Sequence, residues 1–243
     1  MIEEHIFLNK SLFFPKEGIL VIGDLHIGYE EMLRQEGFTF PTTQIKEIIE
    51  DLEEIFKEIN NKNLVLNKLI FIGDIKHHFG FEYGEKKDFW KIFDLLKQSI
   101  PEENIIFIKG NHDTIDFSYG KMKPFYIENS LAFIHGDILH KEILDKKIKT
   151  IVIGHLHPSV ILSDKQGIKR EKYKCFLIGK WKRKEIIILP SFLNIIEGQT
   201  INEYKESYEY YFPIIPEKVL MNFKVFVIGE NKTYAFRKLK DLI

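Results

Sequence analysis

Short runs of apolar residues recur along the chain, and each run ends in glycine or a polar cluster. The runs are 19-ILVIGDLH-26, 69-LIFIGD-74, 105-IIFIKGNHD-113, 131-LAFIHGD-137 and 151-IVIGHLH-157. Their Ile, Leu, Val and Phe residues follow one another without polar alternation. This pattern predicts strands that are buried on both faces of a sheet.

The segments between these runs have the periodicity of helices. In segment 43–60, apolar residues stand at 45, 48, 49, 52, 55, 56 and 59, and Thr42 or Thr43 is available as a cap. Segment 87–100 repeats this stripe and stops at Pro101. Strands that alternate with helices predict an α/β layered architecture.

The later part of the chain reads instead as consecutive strands and hairpins. These are 173-YKCFLIGKW-181, 185-EIIIL-189, 219-VLMNFKVFVIG-229 and 233-TYAFRK-238. We therefore expect two sheets packed face to face with helices outside. The chain contains no internal repeat or low-complexity linker, which favours a single domain over residues 1–243.

Composition narrows the class of protein. The 243 residues are 44% hydrophobic and 29% charged, as in a soluble globular protein, and the net charge of -1 gives no global attraction to nucleic acid or membrane. The lone Cys175 excludes an internal disulfide and fits a reducing cytoplasm. No leader sequence and no membrane-spanning run is apparent, so we expect a cytoplasmic protein. The abundance of Ile, Lys and Glu resembles a thermophile's composition, although an AT-rich genome would have the same effect.

Polar residues with metal-binding chemistry follow five of the predicted strands. In α/β sheets, functional residues collect beyond the carboxyl ends of the strands. Taken singly, Asp24 could cap a helix, Asn111 could hold a turn and His135 could be a core histidine. Eight together are hard to explain as accidents, and a two-metal site accounts for all of them: Asp24, His26, Asp74, Asn111, His112, His135, His155 and His157.

The segment 154-GHLHP-158 adds a geometric argument. Residues at positions i and i+2 of a strand point to the same side, so His155 and His157 could converge on one object.

The ordered series Asp-x-His, Gly-Asp, Gly-Asn-His-Asp, His-Gly and Gly-His-x-His resembles the calcineurin-like metallophosphoesterase superfamily. Segments 24-DLHIGYEEMLRQEG-37, 73-GDIKHHFG-80 and 189-LPSFLNIIEGQTIN-202 are similar to archaeal phosphoesterases related to the nuclease subunit of double-strand-break repair. They also resemble bacterial ligase-associated DNA-damage-response endonucleases. The resemblance implies a four-layer α/β/β/α sandwich of two packed mixed sheets.

The resemblance also implies two metal sites that share a bridging Asp74. One ion is assigned Asp24, His26, Asp74 and His157, and the other Asp74, Asn111, His135 and His155. Mixed oxygen and imidazole ligands suit borderline divalent ions, with Mn²⁺ expected first and Fe²⁺, Zn²⁺ or Ni²⁺ as alternatives. Two such ions would hold a bridging hydroxide that attacks phosphorus.

Two histidines, an aspartate and an asparagine are assigned to catalysis and substrate binding. In the family, the residue corresponding to His112 contacts the phosphoryl oxygen or protonates the leaving group, and Asp113 would steady it. Asp113 as a simple turn residue is the alternative. We expect His77, Asn111 and His112 to contact substrate, with His78 as an exposed loop residue.

The substrate itself is less well defined by the sequence. Segment 165–185 holds nine Lys or Arg against two Glu, interleaved with Tyr173, Phe176 and Trp181. A hairpin of this kind could track DNA or RNA, with Lys180, Lys182, Arg183 and Lys184 as phosphate contacts, or it could be a solvated lysine-rich face. Segment 203–216 could flank the site or be a packed loop.

The leading hypothesis is a metal-dependent phosphoesterase, specifically a phosphodiesterase or nuclease. A small-molecule phosphatase or a cyclic-nucleotide phosphodiesterase needs the same metal ligands and stays open. A scaffold that keeps the fold without catalysis is the alternative from another class. The oligomeric state is not predicted.

Overall fold

The computed structural model describes residues 4–39, 43–77, 83–113, 122–164, 169–203, 214–230 and 232–243. The chain forms two compact units. The first unit comprises Met1–Pro124 with Phe192–Ile195, and the second comprises Phe125–Ser191 with Ile196–Ile243. The expectation of a single domain over residues 1–243 stays a prediction.

The first unit is built on a five-stranded mixed sheet. Its strands, in spatial order, are β1 (Ile6–Leu8), β2 (Ser11–Phe14), β3 (Ile19–Ile22), β4 (Lys68–Ile72) and β5 (Ile105–Ile108). The pairs β1–β2 and β2–β3 are antiparallel, whereas β3–β4 and β4–β5 are parallel. Every residue of β3 is buried, as the uninterrupted apolar run predicted.

The described residues of the first unit form three α-helices: α1 (Tyr29–Gln35), α2 (Gln44–Asn61) and α3 (Tyr83–Ser99). The predicted apolar stripe of α2 is confirmed, because its buried residues include Ile48, Leu52, Ile55 and Ile59. Thr43 precedes α2 at the N-cap position, but its hydroxyl donates to Oε1 of Glu47 at 2.7 Å. Helix α3 begins at Tyr83, earlier than the predicted residue 87.

The second unit has a larger mixed sheet. Its described strands are β6 (Tyr126–Glu128), β7 (Leu131–Ile134), β8 (Thr150–Ile153), β9 (Pro158–Ser163), β10 (Arg170–Trp181), β11 (Lys184–Ile188), β12 (Gln199–Thr200), β13 (Lys224–Ile228) and β14 (Thr233–Lys238). The order is β12-β9-β10-β11-β8-β7-β6, with β13 paired to β10 and β14 to β13. Strand β8 is parallel to both β7 and β11.

The predicted strand over residues 219–229 is wrong at its beginning. A short helix, α4 (Glu217–Leu220), precedes β13, which starts only at Lys224. Phe223 is buried between them, and a Cβ atom at Gly179 of β10 would lie 2.0 Å from Cδ1 of its ring. Glycine at position 179 therefore makes room for the ring of Phe223.

The core of the second unit explains the lone cysteine. Cys175 is fully buried among the apolar residues of β7, β8, β10, β11 and β13. Burial raises the pKa of its thiol, so the side chain behaves as a small hydrophobe.

The two mixed sheets and their helices confirm the predicted α/β class. Among the described residues, no helix has both the length and the apolar character that a membrane crossing requires.

Candidate metal centre

The loops that follow β3 and β4 are held together by a short backbone ladder. The amide of His26 donates to the carbonyl of Asp74, that of Ile27 to Ile75, and that of His77 back to Ile27, each at 2.9 Å. The ladder continues the parallel pairing of the two strands beyond their ends. It therefore brings the predicted residues Asp24, His26, Asp74 and His77 to one edge of the first sheet.

The candidate ligands in these loops have a left-handed backbone conformation, which residues with a Cβ atom rarely adopt. Asp24, His26 and Asp74 have φ angles of 35°, 44° and 48°, in the left-handed region. In the second unit, His155 and His157 have φ angles of 64° and 47°. Each such residue costs roughly 1–2 kcal/mol, and strain of this kind clusters at functional sites.

Three candidate ligands of the first unit are almost completely buried. Asp24, His26 and Asp74 are 1%, 3% and 2% exposed. Nε2 of His26 lies 3.8 Å from Oδ2 of Asp74, a separation beyond direct hydrogen bonding but compatible with both atoms facing one ion. Buried carboxylates and imidazoles of this kind fit a borderline divalent metal ion.

Asp74 is also tied to the loop that follows β5. The backbone amide of His112 donates to Oδ1 of Asp74 at 2.9 Å. A Cβ atom at Gly110 would lie only 2.2 Å from the same oxygen. Gly110 belongs to the Gly-Asn-His-Asp motif, and its lack of a side chain lets the backbone approach Asp74 closely.

Asp113 organises the same pair of loops. Its fully buried carboxylate accepts hydrogen bonds from the amides of Gly110 at 3.0 Å and Ile75 at 3.1 Å. The ring of His112 is oriented by a different group, because its Nδ1 lies 2.7 Å from the carbonyl oxygen of His77. These contacts make Asp113 a positioning residue that acts through the backbone of both loops.

Three imidazoles of the first unit lie close together. The nitrogens of His26, His77 and His112 include one from each ring within 4.8 Å of the others, a group able to hold a metal ion. The rings of His77 and His112 stack at 5.1 Å, and the ring of Tyr29 meets that of His77 edge-on at 4.8 Å. Asn111, beside His112, is exposed.

A buried clamp that the sequence reasoning missed supports the loop carrying His26. The side-chain amide of Gln44, the first residue of α2, donates to the carbonyl of His26 at 2.7 Å. The Glu30 carboxylate in turn accepts from the backbone amide of Gln44 at 3.0 Å. A polar pair separated by 14 positions in the sequence has no local signal, so only the fold reveals it.

In the second unit, His135 and His155 face each other. His135 follows β7 and His155 follows β8, and Nε2 of His135 lies 3.0 Å from Nδ1 of His155. The amide of Gly154 donates to the carbonyl of His135 at 2.8 Å and holds the two loops together. Two imidazole nitrogens at this separation can face one ion.

The strand geometry expected for His155 and His157 is wrong. Strand β8 ends at Ile153, and both histidines lie beyond it with left-handed backbone. The loop therefore orients each ring separately, while the intervening Leu156 is 4% exposed and anchors the loop in the core. The carbonyl of His157 accepts from the amide of Gln199 at 2.7 Å.

The predicted role of Lys184 in phosphate contact is also wrong. Lys184 is 6% exposed, and its Nζ donates to the carbonyl oxygens of Asp145 at 2.5 Å and Ile148 at 2.7 Å. These two bonds satisfy the backbone of a turn and leave the ammonium group buried. Lys184 is a structural residue of the second unit.

Among the other basic residues that the structure describes in the hairpin, three form ion pairs with glutamates, and Nζ of Lys174 donates to the carbonyl oxygen of Ser191 at 2.9 Å. Glutamates 171, 203 and 197 pair with Lys169, Arg170 and Lys172 respectively. Strand β11 runs parallel to β8, with Glu185 opposite Thr150 and Ile188 opposite Ile153. The hairpin tip thus lies beside the start of β8, about 10 Å along the strand from the end that His155 follows.

The predictions for His78, for the first part of the hairpin and for most of segment 203–216 lie outside the described residues, which omit 78–82, 165–168 and 204–213.

Comparison with known proteins extends these observations. The family model described as calcineurin-like phosphoesterase matches residues 18–159. No curated protein matches the chain. Among solved structures, the nuclease MPE from Pseudomonas putida is similar at 17% identity with a TM-score of 0.60, over 95% of this chain and 93% of that one.

A Vps29 mutant from Entamoeba histolytica is similar at 12% identity with a TM-score of 0.38, over 90% and 96% of the two chains. A conserved uncharacterized protein from Streptococcus pneumoniae TIGR4, a predicted phosphoesterase, is similar at 13% identity with a TM-score of 0.35, over 90% and 95%.

Proposed function

The chain belongs to the calcineurin-like phosphoesterase family, a metal-dependent class of hydrolases, and from that premise we propose that it cleaves phosphodiesters with two divalent ions. Mn²⁺ is the ion we expect, because the donors mix carboxylate and amide oxygens with imidazole nitrogens. The residues assigned by the resemblance supply these donors: Asp24, His26, Asp74 and His157 for one ion, and Asp74, Asn111, His135 and His155 for the other.

The observation that carries this proposal lies in the first unit. Asp24, His26 and Asp74 are buried, and their backbone is in the left-handed conformation. The hydrogen bonds between their loops hold them at one edge of the sheet. Strained backbone at polar residues is typical of functional sites, and here it occurs at three residues on one edge of a sheet. Metal binding is the function that the donor atoms of these residues suit. When bound, the ions would polarise the phosphoryl group and lower the pKa of a coordinated water.

His112 is proposed to act on the phosphoryl oxygen or the leaving group. The carbonyl of His77 orients the ring through Nδ1, so Nε2 is the ring atom left to contact the phosphoryl oxygen or the leaving group. Asp113 keeps the loop of His112 in register with the loop of Asp74 through the amides of Gly110 and Ile75. His77 and Asn111 are proposed to contact the substrate beside it.

A polynucleotide substrate has one support. The neighbour from Pseudomonas putida, whose fold extends over 95% of this chain, is described as a nuclease. We propose DNA or RNA as the first substrate class to test on that ground.

The hairpin favours the second candidate, a small phosphodiester or monoester. Lys184 is buried, and the hairpin tip lies at the end of β8 that His155 does not follow. Lys184 is therefore not available as a phosphate contact, and a small substrate needs no contribution from the hairpin tip.

The test is hydrolysis of bis-p-nitrophenyl phosphate by metal-free protein, before and after addition of Mn²⁺. We expect activity that depends on Mn²⁺ and is lost in Asp74→Asn. Asp94→Asn, on the surface of α3 and paired with Lys97, is the matched control and should behave as wild type. Inactivity of the loaded protein on this diester, on monoesters, on cyclic nucleotides and on DNA and RNA would contradict the proposal.

A further inference from the structure

The group formed by His26, His77 and His112 differs from the ligand sets proposed above. It contains no carboxylate, and two of its members, His77 and His112, belong to neither set. All three residues are in the first unit, on the loops that follow β3, β4 and β5. Three imidazoles without a carboxylate are the protein ligands of one type of zinc site, in which water takes the fourth position.

The separation of two of the nitrogens fits zinc. Zn–N bonds of about 2.0–2.1 Å in a tetrahedron place neighbouring nitrogens about 3.3–3.4 Å apart. Nδ1 of His26 and Nδ1 of His77 are 3.4 Å apart. The two rings are therefore already at the spacing that a shared Zn²⁺ requires. One nitrogen from each of the three rings lies within 4.8 Å of a nitrogen of the other two.

The third ring has the outer support that metal-binding histidines use. Histidine ligands commonly donate their other ring N–H to a backbone carbonyl, which sets the tautomer. Nδ1 of His112 lies 2.7 Å from the carbonyl oxygen of His77. With the proton on Nδ1, the lone pair of the neutral ring is on Nε2.

We propose that Nδ1 of His26, Nδ1 of His77 and Nε2 of His112 form a third metal site, which binds Zn²⁺ and shares His26 with one of the two carboxylate-bearing sites. Occupancy of this site competes with the activating ion. It is an inhibitory site, because the bound zinc takes His112 away from the substrate. The inhibitory consequence rests on the function proposed above, whereas zinc binding by the three histidines does not.

The competition follows from the single lone pair of a neutral imidazole. Nε2 of His26 faces Asp74 at 3.8 Å, and Nδ1 of the same ring faces His77. When Nδ1 binds zinc, the ring proton moves to Nε2, which then has no lone pair for an ion held with Asp74. The two ions therefore exclude each other at His26.

Zinc binding is tested in a background that disables both carboxylate-bearing sites. The double variant Asp74→Asn, His135→Ala should still bind one Zn²⁺, measured by competition with a chromophoric chelator, and should give a tetrahedral absorption spectrum with Co²⁺. Adding His77→Ala should weaken zinc by at least the roughly 10–100-fold typical of losing a metal-supporting partner. Adding His140→Ala, which packs on Phe125 in the second unit, should leave zinc binding unchanged.

Equal zinc affinity with and without His77, or an octahedral Co²⁺ spectrum, overturns the site. Circular dichroism checks that each variant is folded, and Asp24→Asn, His135→Ala provides a second background if the first is not.

Exclusion is tested in the wild-type protein loaded with Mn²⁺. Addition of Zn²⁺ should release one Mn²⁺ per chain, detected as free aqueous Mn²⁺ by electron paramagnetic resonance, and His77→Ala should require at least tenfold more zinc for the same release. Zinc bound at the three histidines without release of Mn²⁺ overturns the exclusion. Failure of the chain to bind Mn²⁺ at all contradicts the proposed function instead, and leaves the chelator experiment as the measure of the zinc site.

Discussion

The carbonyl oxygen of His77 lies 2.7 Å from Nδ1 of His112, so the loop after β4 sets the orientation of an imidazole carried by the loop after β5. The same two loops are joined by the carboxylates of Asp74 and Asp113, which accept hydrogen bonds from backbone amides across them. The position of the His112 ring is thus a property of both loops together.

Replacing His112 should lower the catalytic rate and leave metal binding intact. We expect His112→Ala to lower kcat for bis-p-nitrophenyl phosphate by about 10²–10⁴-fold, the range for one positioned acid or charge-stabilising group. Mn²⁺ affinity, measured by calorimetry, should stay within error of wild type because His112 is outside both proposed ligand sets. A parallel loss of Mn²⁺ affinity would mean that His112 is a ligand.

Adding one methyl group at Gly110 should damage the candidate metal centre. The new Cβ would lie 2.2 Å from Oδ1 and 2.3 Å from N of Asp74, so the two loops must separate. We expect Gly110→Ala to cost about 1–3 kcal/mol of unfolding free energy, and to weaken Mn²⁺ binding, measured by denaturant titration and calorimetry.

Gly37→Ala is the control for Gly110. Position 37 has a φ of 92° with no atom within 4 Å of the new Cβ, so it tests backbone strain alone. It should lower stability without changing Mn²⁺ affinity. An unchanged metal affinity in Gly110→Ala as well would show that Asp74 does not depend on this close approach.

The left-handed backbone at His157 should lower the stability of the protein when any residue other than glycine occupies this position. In metal-free protein, His157→Gly should be more stable than His157→Ala by about 1 kcal/mol, because glycine adopts a φ of 47° without the penalty that a Cβ incurs. The same pair of substitutions at His112, which is not among the left-handed residues, should give the opposite order. Urea titration in the presence of a chelator measures both, and equal values for the two His157 variants would contradict the strain.

The hairpin predicts a separation between stability and nucleic-acid affinity. Lys184→Met should lower the unfolding free energy by about 1–3 kcal/mol, because two buried carbonyl oxygens lose their donor. Combined replacement of Lys180, Lys182 and Arg183 by Ser should leave both stability and the salt dependence of any DNA or RNA binding unchanged. A shallower salt slope in that triple variant would restore the hairpin as a phosphate contact.

Lys10 predicts a pH-dependent contribution to stability. Its buried Nζ lies 2.5 Å from Oδ2 of Asp51 and from Oδ1 of Asn194. The pKa of Lys10 is lowered mainly because burial disfavours the charged form, and the attraction of Asp51 offsets only part of this effect. The unfolded chain therefore keeps this proton to higher pH, and the contribution to unfolding free energy rises with pH from the lowered pKa up to 10.5.

We expect Lys10→Met to cost about 1–3 kcal/mol at neutral pH, since Asp51 and Asn194 lose a donor. The difference from wild type should widen as pH rises through that window, measured by denaturant titration at several pH values. Lys46→Met, which removes an exposed pair with Glu50, should be nearly neutral at every pH. A difference for Lys10→Met that stays constant with pH would contradict the lowered pKa.

The sequence alone determined where the strands lie and which residues follow them. The runs before Asp24, Asp74 and His135 are strands β3, β4 and β7 in the structure. This succeeded because burial on both faces leaves a purely local signal, an uninterrupted apolar stretch. The Gly-Asn-His-Asp and His-x-His motifs are equally local, so the order of residues along the chain is sufficient to identify the candidate ligands.

Only the tertiary structure decided how these side chains are oriented and which residues have structural roles instead. The contact between Asp74 and Gly110, the bond from His112 to His77, and the burial of Lys184 against Asp145 and Ile148 join residues 35 to 39 positions apart. Such pairs have no period and no short motif, because they form where separate loops meet. The left-handed backbone at His155 and His157 is likewise imposed by packing, which overrode the extended geometry that their spacing suggested.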